Sequence, residues 1–169
     1  MFIYAIILNI VNFLPMGVYF MTEKSVCFAG HRLEHHNLHI ESDFENLLIS
    51  AIKQGYSTFY TSGYGYFDTL GTQILKKLKN TYPIQIIRVI SSYSQAEKLG
   101  NHTFDEVILL DLNSVHYKQR IIKLNEWMVD NSSLIISHLL HTYKSGAYQI
   151  VKYAQKQNKE IWHIKKDSL

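Results

Sequence analysis

The stretch "SLIISHLL", residues 133–140, decides the fold. Five of its eight residues are apolar, and these do not alternate with the polar ones. A strand of this kind is typical of a parallel sheet that is covered on both faces. A helix is predicted to follow it at residues 145–157. The residues expected on the inward face of that helix are Ala147, Ile150, Val151 and Ala154.

Apolar runs and amphipathic stretches alternate along the rest of the chain. Further strands are predicted at residues 25–29, 57–61, 84–90, 105–112 and 160–164, and further helices at 42–54, 67–79 and 115–130. Strands that alternate with helices predict an α/β protein. The expected fold is a Rossmann-like open, mainly parallel sheet with helices on both faces, in a single domain of this 169-residue chain.

The first predicted helix shows its boundaries in the sequence. Ser42 and Glu45 form a capping-box pattern, which places the start of the helix at Ser42. Gly55 is expected to end it. The expected buried stripe is Ile40, Phe44, Leu47, Leu48, Ala51 and Ile52.

Composition limits the classes of partner. Charged residues make up 18% of the chain and hydrophobic residues 47%, and the net charge of +3 is spread without a basic block. Nucleic acid is therefore not expected as a partner. The single cysteine, Cys27, lies inside the first predicted strand, where it is expected to be a small buried side chain and not a nucleophile.

The first 20 residues form an uncharged apolar extension that is long enough for a membrane span. Asn9, Asn12 and Pro15 argue against a span, and Met21 opens a normal-looking start before the first strand. An over-extended translation start, a membrane anchor and a cleaved signal remain open. The folded domain is expected at residues 21–169, in the cytoplasm, with membrane attachment as the alternative if residues 1–20 are retained.

Ligands of such sheets bind at the carboxyl ends of the strands. Four loops are expected there: "GHR" (30–32), "SGYGYFD" (62–68), "DLNSVHY" (111–117) and "HLLHTYKSGAY" (138–148). Arg32 is suited to a bidentate contact with phosphate, and His31 to hydrogen bonding or acid–base work. No metal site is expected, because His35, His36 and His39 lack a ligand spacing and fit a surface location.

The "GYG" loop does not match either common phosphate motif. Asp68 stands where the dinucleotide fingerprint needs its third glycine, and no Gly-Lys-Ser/Thr follows. Gly63 and Gly65 still permit a tight turn with close approach of a ligand, so a structural turn and a ligand loop both remain open. Asp68 is either a helix cap or a ligand contact.

The "KSGAY" loop is the stronger anion candidate. Gly146 lets the backbone approach a ligand where Ser145 starts a helix, so the first N–H groups would meet a phosphate, with Lys144 as an added positive charge.

Four blocks, "CFAGHR", "SGYGYFDTL", "KLNEWMVDNSSLIIS" and "SGAYQIVKYAQKQNKEI", resemble the YpsA-like branch of the SLOG superfamily. These Rossmann-like proteins are related to the LOG phosphoribohydrolases and to DprA. The resemblance implies a nucleotide or nucleotide-derived small molecule as ligand. The ligand-binding residues predicted from the loops and the resemblance are Gly30, His31, Arg32, Ser62, Gly63, Gly65, Asp68, Asn125, Ser145, Gly146 and Ala147.

The sequence departs from the family most clearly at Leu124, where the family block typically has an arginine that acts in LOG-type hydrolysis. The helix that begins near Ser145 also lacks the family's glutamate. A nucleotide-binding or sensing domain without an evident catalytic apparatus is therefore the preferred function. A phosphoribohydrolase-like N-glycosidic hydrolase that uses Asp68 or Asp111 is the alternative. No cofactor is predicted with certainty beyond the nucleotide-derived ligand, and homo-oligomerisation stays open.

Overall fold

The computed structural model describes residues 24–31, 38–92, 104–139 and 145–164. Strands and helices alternate along these residues as the sequence predicts. The strands are β1 (Lys24–Gly30), β2 (Tyr56–Thr61), β3 (Gln85–Ile90), β4 (Glu106–Leu109), β5 (Leu134–His138) and β6 (Glu160–His163). The helices are α1 (Leu38–Lys53), α2 (Tyr66–Leu78), α3 (Tyr117–Asp130) and α4 (Gly146–Lys156).

The six strands form one sheet in the order β4-β3-β2-β1-β5-β6. Every neighbouring pair in it is parallel, so the predicted α/β Rossmann-like fold is confirmed. The chain order reverses beside β1, because β1 to β4 run outward on one side and β5 lies on the other. Ligands of open α/β sheets bind at such a switch point, outside the carboxyl ends of the strands.

Of the helices in the described ranges, two pack on each face of the sheet. Helices α1 and α2 pack on the face that carries Val26 and Phe28, and α3 and α4 pack on the opposite face with Cys27 and Ala29. The alternation along β1 follows from the strand period of two. Both faces are apolar because both are covered, which is why the central strands show no alternation of polar and apolar residues in the sequence.

The predicted start of α1 is wrong. The helix begins at Leu38, so Ser42 lies inside it and is exposed, and the capping-box pattern does not mark its first turn. The buried stripe is confirmed for Ile40, Phe44, Leu48 and Ala51, and α1 ends just before Gly55 as predicted. Burial of an apolar stripe outweighs a local capping pattern because it removes far more apolar surface from water.

Within the residues that the structure describes, no helix combines the length and the apolar character that crossing a bilayer requires. The apolar extension at residues 1–20 and the histidines at 35 and 36 lie outside these residues.

Candidate functional site

A cavity of about 340 Å³ opens beside the carboxyl end of β1, where the chain order of the sheet reverses. Its volume lies within the range of small-molecule sites. The end of β1, the start of α2, and the facing parts of α3 and α4 enclose it. Six of its lining residues are among those predicted from the sequence: Gly30, His31, Asp68, Asn125, Gly146 and Ala147.

Four other residues complete the lining of this cavity: Phe28, Tyr64, Ile121 and Ile150. Sequence reasoning did not select them for the site. Ile150 appeared in it only as part of an apolar helix face, and Tyr64 lies between the two glycines of the "GYG" loop. The alternation of glycine with tyrosine in "GYGY" was the available signal for Tyr64.

Asp68 lies in the first turn of α2 and is only 8% exposed. Thr61 Oγ1 donates to its Oδ1 over 2.9 Å, and the backbone N–H and Oγ of Ser62 donate to its Oδ2 over 2.8 and 2.5 Å. Gly65 precedes α2 and offers no side-chain cap. Asp68 therefore ties the end of β2 and the loop after it to α2, and lines the cavity at the same time.

Burial raises the pKa of the Asp68 carboxyl above its ordinary value, although the hydrogen bonds from Ser62 and Thr61 and the charge of Arg88 act in the opposite direction. Burial in turn lowers the pKa of Arg88, which the charge of Asp68 partly offsets. The charges of Asp68 and Arg88 thus influence each other near the loop between β2 and α2.

Asp68→Asn is expected to remove one pH dependence of stability. A raised folded-state pKa means that the folded chain binds more protons than the unfolded chain between the two pKa values, so stability falls as pH rises through that window. We expect the unfolding free energy of wild type, relative to Asp68→Asn, to decrease above about pH 4 at up to about 1.4 kcal/mol per pH unit within the window.

Urea unfolding of both proteins at several values between pH 4 and pH 7 measures this difference. Because the other ionisable groups are common to the two proteins, they cancel in the comparison. A wild-type advantage that grows with pH would contradict the expectation and would mean that Arg88 and the hydroxyl donors outweigh burial.

The two glycines of the "GYG" loop shape the turn and do not belong to the lining of the cavity. Their φ angles are +63° at Gly63 and +95° at Gly65, which side chains rarely adopt. A β-carbon at Gly63 would lie 1.6 Å from Nη1 of Arg88, so the guanidinium packs directly against this glycine. The arginine within the apolar strand run "IQIIRVI" was the sequence signal for this contact, and it was missed.

Helix α4 presents its first turn to the cavity. Ser145 precedes the helix and its hydroxyl accepts a hydrogen bond from the N–H of Tyr148 over 3.1 Å, as expected of a cap. The N–H groups of Gly146 and Ala147 have no carbonyl partner within the helix, because they belong to its first turn. A β-carbon added at Gly146 would meet no atom of the described residues within 4 Å, so these residues leave the space in front of this turn open.

Neighbouring residues on α3 separate into the two sides of the helix. Asn125 lines the cavity, whereas Leu124 is 0% exposed and packs in the core with Met128. Ile121, three residues before Leu124, is half-buried and lines the cavity.

Asp111, the second candidate for catalysis, is exposed and follows β4 at the far edge of the sheet, three strands from β1. Its Oδ1 accepts from the N–H of Asn113 over 3.3 Å, and it does not line the cavity. The structure therefore does not bring Asp111 together with Asp68. Arg32 and Lys144 lie outside the described residues, so the prediction for Arg32 stays a prediction.

Cys27 is buried, and burial raises the pKa of its thiol to about 12. The thiolate is thus disfavoured at neutral pH, as expected for a structural cysteine. In the described ranges, no three His, Cys, Asp or Glu side chains gather in a way that could hold a metal ion.

Neither a protein-family model nor a curated protein matches the sequence. Solved structures do match the fold. DNA processing protein A (DprA) from Streptococcus pneumoniae gives a TM-score of 0.63 at 14% identity, over 86% of this chain and 52% of that one. The structural genomics target TM1055 gives 0.52 at 14% identity, over 82% and 72%.

A third similar structure is the molybdenum cofactor carrier protein from Chlamydomonas reinhardtii, with a TM-score of 0.55 at 12% identity, over 83% of this chain and 76% of that one. All three share the Rossmann-like fold of this chain, which agrees with the fold that the SLOG resemblance implies. Identities this low establish a shared fold, and the YpsA-like branch stays a prediction.

Proposed function

We propose that this chain is a nucleotide-binding or nucleotide-derivative-binding domain of SLOG type that acts as a sensor and not as an enzyme. The observation that carries the proposal is the convergence of three predicted loops on one cavity at the switch point of the sheet. The "GHR" loop contributes Gly30 and His31, the "GYG" loop is followed by Asp68, and the "SGA" helix start contributes Gly146.

The chemistry of the cavity suits a ligand with an anionic end and a hydroxyl-bearing end. The first turn of α4 favours an anion, because its free N–H groups and the positive end of the helix dipole both lie at this end of the helix. Asp68 Oδ1 takes one hydrogen bond, from Thr61, and a carboxylate oxygen has room for a second. A nucleotide would match both ends of the cavity, with its phosphate at the first turn of α4 and a ribose hydroxyl at Asp68.

The alternative function, N-glycosidic hydrolysis, has one observation in its favour. Asp68 is a buried carboxyl with a raised pKa in the cavity wall, which is how a general acid is tuned. Among the described lining residues it is the only carboxylate, whereas glycoside hydrolysis generally uses two. Release of free base or ribose 5-phosphate from nucleotides by wild type, abolished in Asp68→Asn, would favour the hydrolase over the sensor.

Gly146→Trp is expected to weaken nucleotide binding at least tenfold without unfolding the protein. A side chain at this position enters open space in front of the first turn of α4, where the phosphate is proposed to lie. Titration calorimetry of the full chain with AMP, GMP, CMP, UMP, ADP and ADP-ribose measures the affinity, and circular dichroism measures the unfolding temperature.

Gln155→Trp is the matched control. Gln155 is exposed farther along the same helix and does not line the cavity at the strand ends, so this variant is expected to bind as wild type does. The proposal fails if wild type binds none of these compounds. It also fails if the Gly146 variant binds them undiminished.

A further inference from the structure

A second cavity, of about 450 Å³, lies between α3 and α4 on the outer side of the molecule. The side chains of Ile121, Ile122, Val129 and Ile150 line it, together with Tyr153. Ile122 is 45% exposed, which is unusual for a large apolar side chain on a helix surface. We call this cavity the interhelical groove.

The interhelical groove is continuous with the cavity at the strand ends. Four residues line both spaces: Ile121, Asn125, Gly146 and Ile150. Gly146 is the first residue of α4, so the helix turn proposed to bind a phosphate lies at the junction. A ligand whose phosphate bound there would have one side facing the strand ends and the other facing the groove.

The two compartments differ in chemistry. The cavity at the strand ends contains the buried carboxyl of Asp68 and the imidazole of His31, whereas the groove has an aliphatic floor. Three charged residues also line the groove. Lys152 and Lys156 form no ion pair with another described residue, whereas the carboxylate of Glu126 is paired with Lys123 over 2.7 Å. The unpaired charges of the groove are therefore positive. Aliphatic walls beside cationic rims suit an apolar group that is attached to an anion.

We propose that the interhelical groove is the second compartment of one ligand site, and that it takes an apolar substituent carried on the far side of the ligand's phosphate. The ligand class is thus a nucleoside phosphodiester, or diphosphate, with a hydrocarbon group. This proposal rests on the proposed nucleotide-binding function. A groove of this volume fits one such group, while a stable protein partner generally needs about 800 Å² of surface on each side.

The test compares AMP with its hexyl phosphodiester by titration calorimetry of the full chain. If the hexyl group enters the groove, the ester binds wild type about tenfold more tightly than AMP or better, since several methylene groups leave water. Ile122→Asn is expected to abolish this gain and to leave AMP binding unchanged. Ile122 is the residue to change because it is exposed and lines the groove but not the cavity at the strand ends.

Tyr117→Asn is the matched control, because Tyr117 is a 66% exposed apolar residue at the start of the same helix that lines neither cavity. It is expected to keep the full gain of the ester. If AMP binds and the ester binds no better, the groove is not a ligand compartment, whereas failure of every nucleotide to bind refutes the proposed function itself. A change of molecular mass in light scattering on Ile122→Asn would make the groove an interface between copies and overturn the proposal.

Discussion

Leu124→Arg is expected to remove a large part of the stability of the protein. Leu124 is 0% exposed and packs between α3 and the sheet, in a cluster that contains Ala29, Val89 and Met128. The members of this cluster are apolar, so a guanidinium there would find no carboxylate to pair with. An unpaired buried charge costs roughly 4 kcal/mol or more, a large part of the 5–15 kcal/mol that stabilises a typical domain.

Urea unfolding followed by circular dichroism measures this loss, and Ile121→Arg is the control. Ile121 lies three residues earlier on the same helix but is half-buried and lines both cavities, so an arginine there can reach water. We expect the control to lose under about 1.5 kcal/mol. A folded Leu124→Arg protein of near wild-type stability would contradict the placement of Leu124 in the core.

This prediction also bears on the hydrolase alternative. The family resemblance implies a catalytic arginine at the position of Leu124. In the structure, however, Leu124 is buried in the core, and the next residue, Asn125, lines the cavity. Leu124→Arg is therefore expected to lose stability and not to gain glycosidic hydrolysis. An assay for ribose 5-phosphate on any folded fraction of the variant checks this second expectation.

Gly30→Ala is expected to cost about 3 kcal/mol or more, an unusually large effect for one methyl group. A β-carbon at Gly30 would lie 2.3 Å from Cβ and Cγ of Phe67. Phe67 is 1% exposed and its ring stacks on that of Phe44 with centroids 4.2 Å apart, so it has little room to move. Overpacking of a rigid core typically costs about 1–3 kcal/mol, and this overlap lies at the severe end.

Gly146→Ala is the matched control for this prediction. Both glycines line the cavity at the strand ends, but a β-carbon at Gly146 would meet no atom within 4 Å in the part of the chain that the structure describes. We expect the Gly146 variant to unfold within about 0.5 kcal/mol of wild type, since alanine also favours a helix. Equal losses in the two variants, measured by urea unfolding, would argue against the close packing of Gly30 on Phe67.

The periodic parts of the sequence predicted the fold well, because burial repeats along each element. The apolar residues of β5 indicated a strand covered on both faces, and Leu134, Ile135 and Ile136 are indeed fully buried. Helix boundaries were less predictable. The capping pattern at Ser42 is local, and the extra turn that begins at Leu38 is added before it.

The site could be predicted only in part, because it depends on contacts between elements that are far apart in the chain. The sequence places Asp68 and Asp111 in equivalent positions, each shortly after a strand. The sheet order separates them, because β2 pairs with β1 while β4 lies three strands away. Tyr64 and Ile121 also line the cavity through contacts between elements far apart in the chain.

The sequence by itself determined the alternation of strands and helices, the parallel sheet and the loops where a ligand could bind, since hydrophobic periodicity and glycine spacing are local properties. Only the tertiary structure decided which loops share one cavity. It also tied the carboxyl of Asp68 to Thr61 and Ser62, packed Arg88 against Gly63, and joined the cavity to the interhelical groove at Gly146. These relations depend on strand order and helix packing, and contacts across a sheet leave no periodic trace along the chain.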